Sequence, residues 1–262
     1  MKISLDGRTA LITGGSAGLG KGMAIQFARS GADVAILARR SETLNSAKAE
    51  VEAAGDGKVV TLTCDLLNPD ATAQAFADAE LALGTIDILV NNAGTSRAKP
   101  FETVTDNEWH EDLELKLMAA VRLCRAALPG MKHRKWGRII NVLNIGAKAP
   151  RAGSAPTAVS RAAGMALTKV LASEAAPHNV LVNALMVGLI KSAQWERAYK
   201  EADSDEDYEI FVQAMADDRN VPLGRIGETE EFANIACFLA SDQAGYLTGT
   251  AINVDGGASP VA

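Results

Sequence analysis

The chain is poor in cysteine. Only Cys64, Cys124 and Cys237 occur in 262 residues, too few and too scattered for a disulfide framework. No C-x-x-C pair or Cys/His cluster offers a metal-ligand set, so no metal is expected. Each cysteine sits in an apolar segment and reads as a reduced core residue. Blocks of lysine or arginine are also absent, and a net charge of −6 gives nucleic acid no electrostatic attraction. No uninterrupted apolar run reaches the ~20 residues that a membrane helix needs. The start, MKISLDGRTALITGG, enters a strand without a signal-peptide core. A cytoplasmic protein with no nucleic-acid or membrane partner is therefore expected. No repeat, low-complexity linker or composition break divides the chain, so residues 1–262 read as one domain. One further absence is local: no tyrosine lies between Trp109 and Tyr199.

What is present is an alternation. Apolar, β-rich runs at 9–14, 33–38, 58–64, 86–92, 138–144, 179–187 and 250–257 are separated by amphipathic or alanine-rich stretches at 18–30, 41–54, 69–83, 106–128, 156–176 and 228–241. Nearly continuous apolar strands are those of a parallel sheet covered on both faces. The βαβ order predicts an α/β, three-layer Rossmann fold: a doubly wound, seven-stranded parallel sheet with right-handed crossovers. Residues 191–222 break the rhythm as a long acidic insertion, placed where lids over a ligand crevice are found. Its acidic run, Asp203, Asp205, Glu206 and Asp207, reads as a solvated face. Trp195 and Tyr199, four apart, either face a substrate from one side of a helix or pack that helix onto the body.

TGGSAGLG, Thr13 to Gly20, follows a strand and opens a helix. Gly14 permits a tight turn, Gly18 lets backbone approach a pyrophosphate, and Gly20 lets the helix pack closely. The helix N-terminus, with Ser16 and Leu19 in the same loop, then faces the phosphates. The Gly-x-x-x-Gly-x-Gly spacing differs from the usual dinucleotide fingerprint and resembles that of the short-chain dehydrogenase/reductase family. Four further motifs carry the resemblance across nearly the whole chain: CDL at 64–66, NNAG at 91–94, VNALMVGLIKS at 182–192, and PLGRIGETEEFANIACFLASDQAGYLTGTAINVDGG at the C-terminal end. The resemblance implies adenine contacts from Asp65 and Leu66 and cofactor contacts from Asn92, Ala93 and Gly94. It implies nicotinamide-carboxamide contacts from Gly188, Ile190 and Ser192, although Val187 stands where the family has proline.

The end of the second strand chooses the cofactor. A carboxylate there would hold the ribose hydroxyls of NAD. The chain instead reads LARRS, with Ala38 at that position and Arg39 and Arg40 following. Loss of the acid removes a repulsion against a 2′-phosphate, and arginine adds bidentate phosphate recognition. NADP(H) is expected in preference to NAD(H).

The resemblance also implies a catalytic asparagine, serine, tyrosine and lysine, the tyrosine passing a proton as hydride moves. All four positions differ here: they hold Lys116, Asn144, Thr157 and Arg161. An asparagine N–H can still donate to a substrate oxygen. An aliphatic hydroxyl such as that of Thr157 is a poor acid and at most passes a proton or binds. Arg161 is never the base, but it can anchor ribose hydroxyls or an anion. Lys116 shares an inward helix face with Trp109, Leu113, Ala120 and Cys124, so burial beside another cation would bring it towards the range of a general acid. Equally, it can be a snorkelling stem paired with Glu111, Asp112 or Glu114. Ser160 is not the polarising serine. His110, His133 and His178 map away from the crevice, and Lys148 and Arg151 lie in a loop near its mouth.

Three readings follow. The first is an NADP(H)-dependent, 3-oxoacyl-reductase-like oxidoreductase of a small carbonyl or alcohol with a non-standard proton donor. The others are a non-redox lyase or dehydratase, and a catalytically silent NADP-binding protein. The family commonly forms homotetramers, and SRAAGMALTKVLASEAA offers a small-residue packing surface, so a homo-oligomer, tetramer or dimer, is expected.

Overall fold

The central apolar runs become strands because they are covered from both sides. The structure is a computed structural model that describes residues 3–192, 195, 199 and 207–262. The strands are β1 (Thr9–Thr13), β2 (Asp33–Ala38), β3 (Val59–Thr63), β4 (Ile88–Asn91), β5 (Gly137–Asn144), β6 (Val180–Val187) and β7 (Ala251–Val254). They form one parallel sheet in the order β3-β2-β1-β4-β5-β6-β7. Every residue of β1 is buried, as are all but the last residues of β5 and β6.

The helices are α1 (Gly18–Arg29), α2 (Ser41–Glu52), α3 (Pro69–Leu83), α4 (Asp106–Leu113), α5 (Ala119–Arg134), α6 (Thr157–Ala175), α7 (Tyr208–Asp218) and α8 (Thr229–Ala240). One core layer packs Met23 and Phe27 of α1 against Phe232 and Cys237 of α8 and the strands beneath them. The other gathers Phe76 of α3 and Leu123 and Met131 of α5 over Leu89 and Ile139. Such two-sided burial of a parallel sheet is the three-layer arrangement predicted from the apolar runs. All three cysteines are free and buried. No helix among the described residues is long and apolar enough to cross a membrane.

Two local features position the site. The first is the start of α1. Helix α3 is capped by the Asn68 side chain and α4 by a Thr105/Glu108 capping box. The N-cap of α1 is Ala17, with no side-chain cap and no acid in the first turn. Its first N–H groups and positive dipole end are left to an anion. They open at the switch in strand order, where β1 lies between β2 and β4.

The second is an interruption in the helix predicted over 106–128. After Leu113 the backbone passes through a π-turn, Glu114–Met118, before continuing as α5 to Arg134. Pro129 lies inside α5 rather than ending it. It is exposed, as is Arg125 one turn earlier, whose carbonyl loses its helical donor. Single π-turns within helices concentrate at functional sites. Lys116 stands in this one, buried with Ala120 and Cys124 as the inward face requires, but Asp112 rather than Leu113 shares the buried side.

Candidate active site

A cleft of about 920 Å³ opens at the carboxyl ends of the central strands. Its inner wall is the β1–α1 loop, where Gly14 and Gly18 take φ of 66° and 52°, in the left-handed region that favours glycine. A Cβ on Gly20 would lie 2.2 Å from the Gly14 carbonyl oxygen, so helix and loop approach more closely there than any other residue permits. Ser16 and Leu19 complete this wall. Asn92 fastens it to β4: its Nδ2 donates to Thr13 O at 2.9 Å, while Thr13 Oγ1 accepts from Asn92 N and Ala93 N. The uncapped α1 N-terminus and this glycine cradle suit a pyrophosphate.

The other predicted binding residues line the same cleft. Arg39 and Arg40, beyond β2, are exposed at one end and form no ion pair among the described residues. Asp65 and Leu66 follow β3; the Asp65 carboxylate accepts from Leu67 N at 3.1 Å, which shapes the turn. Asn92, Ala93 and Gly94 follow β4. Gly188, Ile190 and Ser192 follow β6, anchored by Gly188 N donating to Val254 O and by an Ile190–Gly227 bridge.

Of the four replaced positions, Asn144, Thr157 and Arg161 line the cleft, and Lys116 lies directly behind Thr157. Asn144 ends β5 and lines the cleft; its Oδ1 is buried and accepts no hydrogen bond among the described residues. Arg161 donates to Val142 O, and its Nε is buried with no hydrogen-bond partner among the described residues. Burial lowers the Arg161 guanidinium to about 10, which still leaves it protonated near neutral pH. A Cβ on Gly94 would lie 2.7 Å from Arg161 Nη2 and 3.4 Å from Lys116 Cγ, so glycine there makes room for both cations.

Lys116 Nζ is almost fully buried. It donates to Asp112 Oδ1, one helical turn earlier, and to Thr157 Oγ1 at 3.0 Å. Glu111 and Glu114 are engaged elsewhere, with Arg97 and Arg122. Burial is the largest influence on the Lys116 ammonium, lowering it to about 8; Asp112 opposes that shift, and Arg161 and Arg97 add to it. Thr157 Oγ1 also accepts from Arg97 N at 2.9 Å. With both lone pairs occupied, its own hydrogen is left to donate into the cleft it lines. Ser160 Oγ donates to the second carboxylate oxygen of Asp112 at 2.6 Å. Of the three acids open to Lys116 by spacing, Asp112 is the one it pairs with, an acid four residues before a lysine on an otherwise apolar helix face; Ser160 joins the cluster through Asp112, which nothing in the sequence signals.

Other polar side chains fall away from the centre. Tyr199 packs against Tyr208 and Phe211, and none of the chain's three tyrosines is among the described residues lining the cleft. Trp195 lines the cleft and also packs on the Val212 cluster. Asp207 caps α7, whereas Asp203, Asp205 and Glu206 lie outside the described residues. His110, His133 and His178 are exposed and off the cleft. Lys148 donates to Ala251 O, and Arg151 lines the mouth.

Residues 14–259 match the family model described as enoyl-(acyl carrier protein) reductase. The chain is 32% identical to the 3-oxoacyl-[acyl-carrier-protein] reductase FabG of Aquifex aeolicus, over 98% of this chain and 99% of that protein. It is 34% identical to the acetoacetyl-CoA reductase of Shinella zoogloeoides, over 95% and 98%. Among solved structures, the L-sorbose reductase of Gluconobacter frateurii, complexed with NADPH and L-sorbose, superposes with a TM-score of 0.95 at 34% identity over all of both chains. An NADPH-bound short-chain oxidoreductase of Pseudomonas aeruginosa PAO1, described as containing an atypical catalytic centre, gives 0.92 at 34% identity, over 99% of this chain and 100% of that one. The chain belongs to the short-chain dehydrogenase/reductase family of oxidoreductases.

Proposed function

We propose that this protein is an NADP(H)-dependent reductase of a small carbonyl compound, with Lys116 as proton source and Thr157 as the group that passes the proton on. The observation that carries this reading is the buried Lys116–Thr157 hydrogen bond at the cleft wall. The NADPH-bound relatives support the cofactor, and Arg39 and Arg40 provide a place for its 2′-phosphate. The β1–α1 loop holds the pyrophosphate, Asp65 and Leu66 the adenine end, and Gly188, Ile190 and Ser192 the carboxamide. Arg161 and Asn92 to Gly94 hold the ribose side.

A reduced nicotinamide held by these residues would supply hydride to a carbonyl carbon. The carbonyl oxygen accepts hydrogen bonds from the Asn144 amide and the Thr157 hydroxyl. As negative charge builds on that oxygen, the Thr157 proton transfers to it while a Lys116 ammonium proton moves to Thr157 Oγ1. Thr157 ends as it began, and Lys116 is left neutral until it regains a proton from solvent. In concert, the threonine never has to exist as an alkoxide, which is how a hydroxyl that is a poor acid by itself can serve.

Trp195 and Arg219, near the ends of the 191–222 insertion, both line the cleft, which supports a covering role for that segment. Exposed Val159 and Val170 on α6 support association with further copies of the chain.

The test is NADPH oxidation against a panel of ketones, keto acids, ketoses and 3-oxoacyl thioesters, with NADP⁺ and the alcohols in parallel. Turnover with any of them supports the reading. Tight NADPH binding without turnover would instead favour a non-redox or silent role.

A further inference from the structure

Asp112 is a buried carboxylate that contacts neither the cleft nor solvent. Its oxygens are divided between two elements: Oδ1 takes Lys116 Nζ, and Oδ2 takes Ser160 Oγ of α6 at 2.6 Å. Ser160 Oγ also lies 3.2 Å from the Thr157 carbonyl. The carboxylate thus ties the π-turn that carries Lys116 to the first turn of α6, where Thr157 stands.

An unpaired acid would not remain ionised in so dry a position, and a lysine left to itself there would shed its proton. We propose that Asp112, backed by Ser160, is the positioning residue of this centre: it keeps Lys116 charged and its Nζ seated on Thr157 Oγ1. The proposal rests on the reading of Lys116 as proton source. Among the described residues, the charged groups facing Lys116 are Asp112 from α4, Arg161 from α6 and Arg97 from the segment after β4. Asp112 is the only acid among them, so it alone offsets two guanidinium groups and burial.

The experiment compares pH profiles of kcat/KM for carbonyl reduction in wild type, Asp112→Asn, Asp112→Glu, Ser160→Ala and Lys116→Met, with NADPH affinity measured by fluorescence on each. Asp112→Asn is expected to move the basic limb to lower pH by about two to three units and so to cut the rate at neutral pH ~10- to 100-fold. NADPH affinity should change less than ~3-fold, because Asp112 does not line the cleft. Ser160→Ala keeps the Asp112–Lys116 pair and is expected to slow turnover with the limb in place. Asp112→Glu keeps the charge and should restore part of the limb position. An unmoved limb in folded Asp112→Asn, with Lys116→Met inactive, would overturn the positioning role alone; where Asp112→Asn does not fold, a wild-type rate in Ser160→Ala has the same force. Wild-type turnover in Lys116→Met would overturn the underlying reading instead.

Discussion

Lys116 Nζ and Thr157 Oγ1 lie 3.0 Å apart, on different helices and 41 residues apart in sequence, and both are buried. Neither side chain alone is suited to giving a proton to a substrate: the lysine does not reach the cleft, and the threonine is not acidic. Together they make a short path from a cation of lowered pKa to the cleft wall.

Thr157→Val is therefore expected to remove the path while preserving shape. Turnover should fall ~10²- to 10⁴-fold, the span of general acid catalysis, with NADPH affinity little changed. Thr157→Ser should recover most of the rate, as its hydroxyl accepts the same two donors. Steady-state kinetics with cofactor titration separates the two effects.

Arg39→Asp is expected to weaken NADPH binding by about 1.5–3 kcal/mol, the usual worth of a hydrogen bond to a charged group. That corresponds to ~10- to 100-fold in Kd. NADH binding should hold or improve, because the new carboxylate accepts from ribose hydroxyls. Equal losses for both cofactors would remove Arg39 from phosphate recognition.

Gly20→Ala tests the cofactor loop. The added Cβ would meet backbone, the Gly14 carbonyl at 2.2 Å, which no rotamer change relieves. A loss of ~1–3 kcal/mol in stability is expected, with NADPH binding abolished because the loop must move. Gly84→Ala makes a useful contrast: that position has space but a φ of 84°, so it should cost stability without touching the cofactor.

The strands and the glycine loop were legible in the sequence because their physics is local. A run such as TALIT, apolar at its three central positions and buried at all five, marks a strand with both sheet faces covered, and Gly14 must be glycine where φ is positive. The centre was only half legible. Lys116 was readable as inward-facing, but its partner was left among Glu111, Asp112 and Glu114, since the three differ only in the direction in which a helix carries them. The π-turn was not readable: one extra residue in a helical turn leaves no mark in composition. Ser160 gained its role only when α6 packed against α4, a long-range event. Helix α5 ran on through Pro129 because that face is exposed, which the local rule against proline does not know.

A pair away from the site should govern part of the acid response. Arg225 grips the Glu231 carboxylate and holds it near 2 rather than 4.5, with the Glu228 backbone assisting. A carboxylate depressed on folding contributes stability above its unfolded value, and that contribution is lost as pH falls through its folded one. The stabilisation is thus complete above about pH 4.5 and gone below about pH 2. Both side chains are about half exposed, so solvent screens the pair and its contribution is small. Arg225→Gln is expected to raise the acid-unfolding midpoint slightly and to leave stability unchanged below pH 2, as followed by circular dichroism.

The central claim is that the proton comes from Lys116, and the most direct measurement is the pH dependence of carbonyl reduction in wild type beside Lys116→Gln. Wild type should hold a level kcat/KM up to about pH 8 and decline above it, as the ammonium form is titrated away. The glutamine variant should be slower by ~10²-fold or more and should lack that decline. A variant that keeps both the wild-type rate and a break near pH 8 would place the proton donor elsewhere.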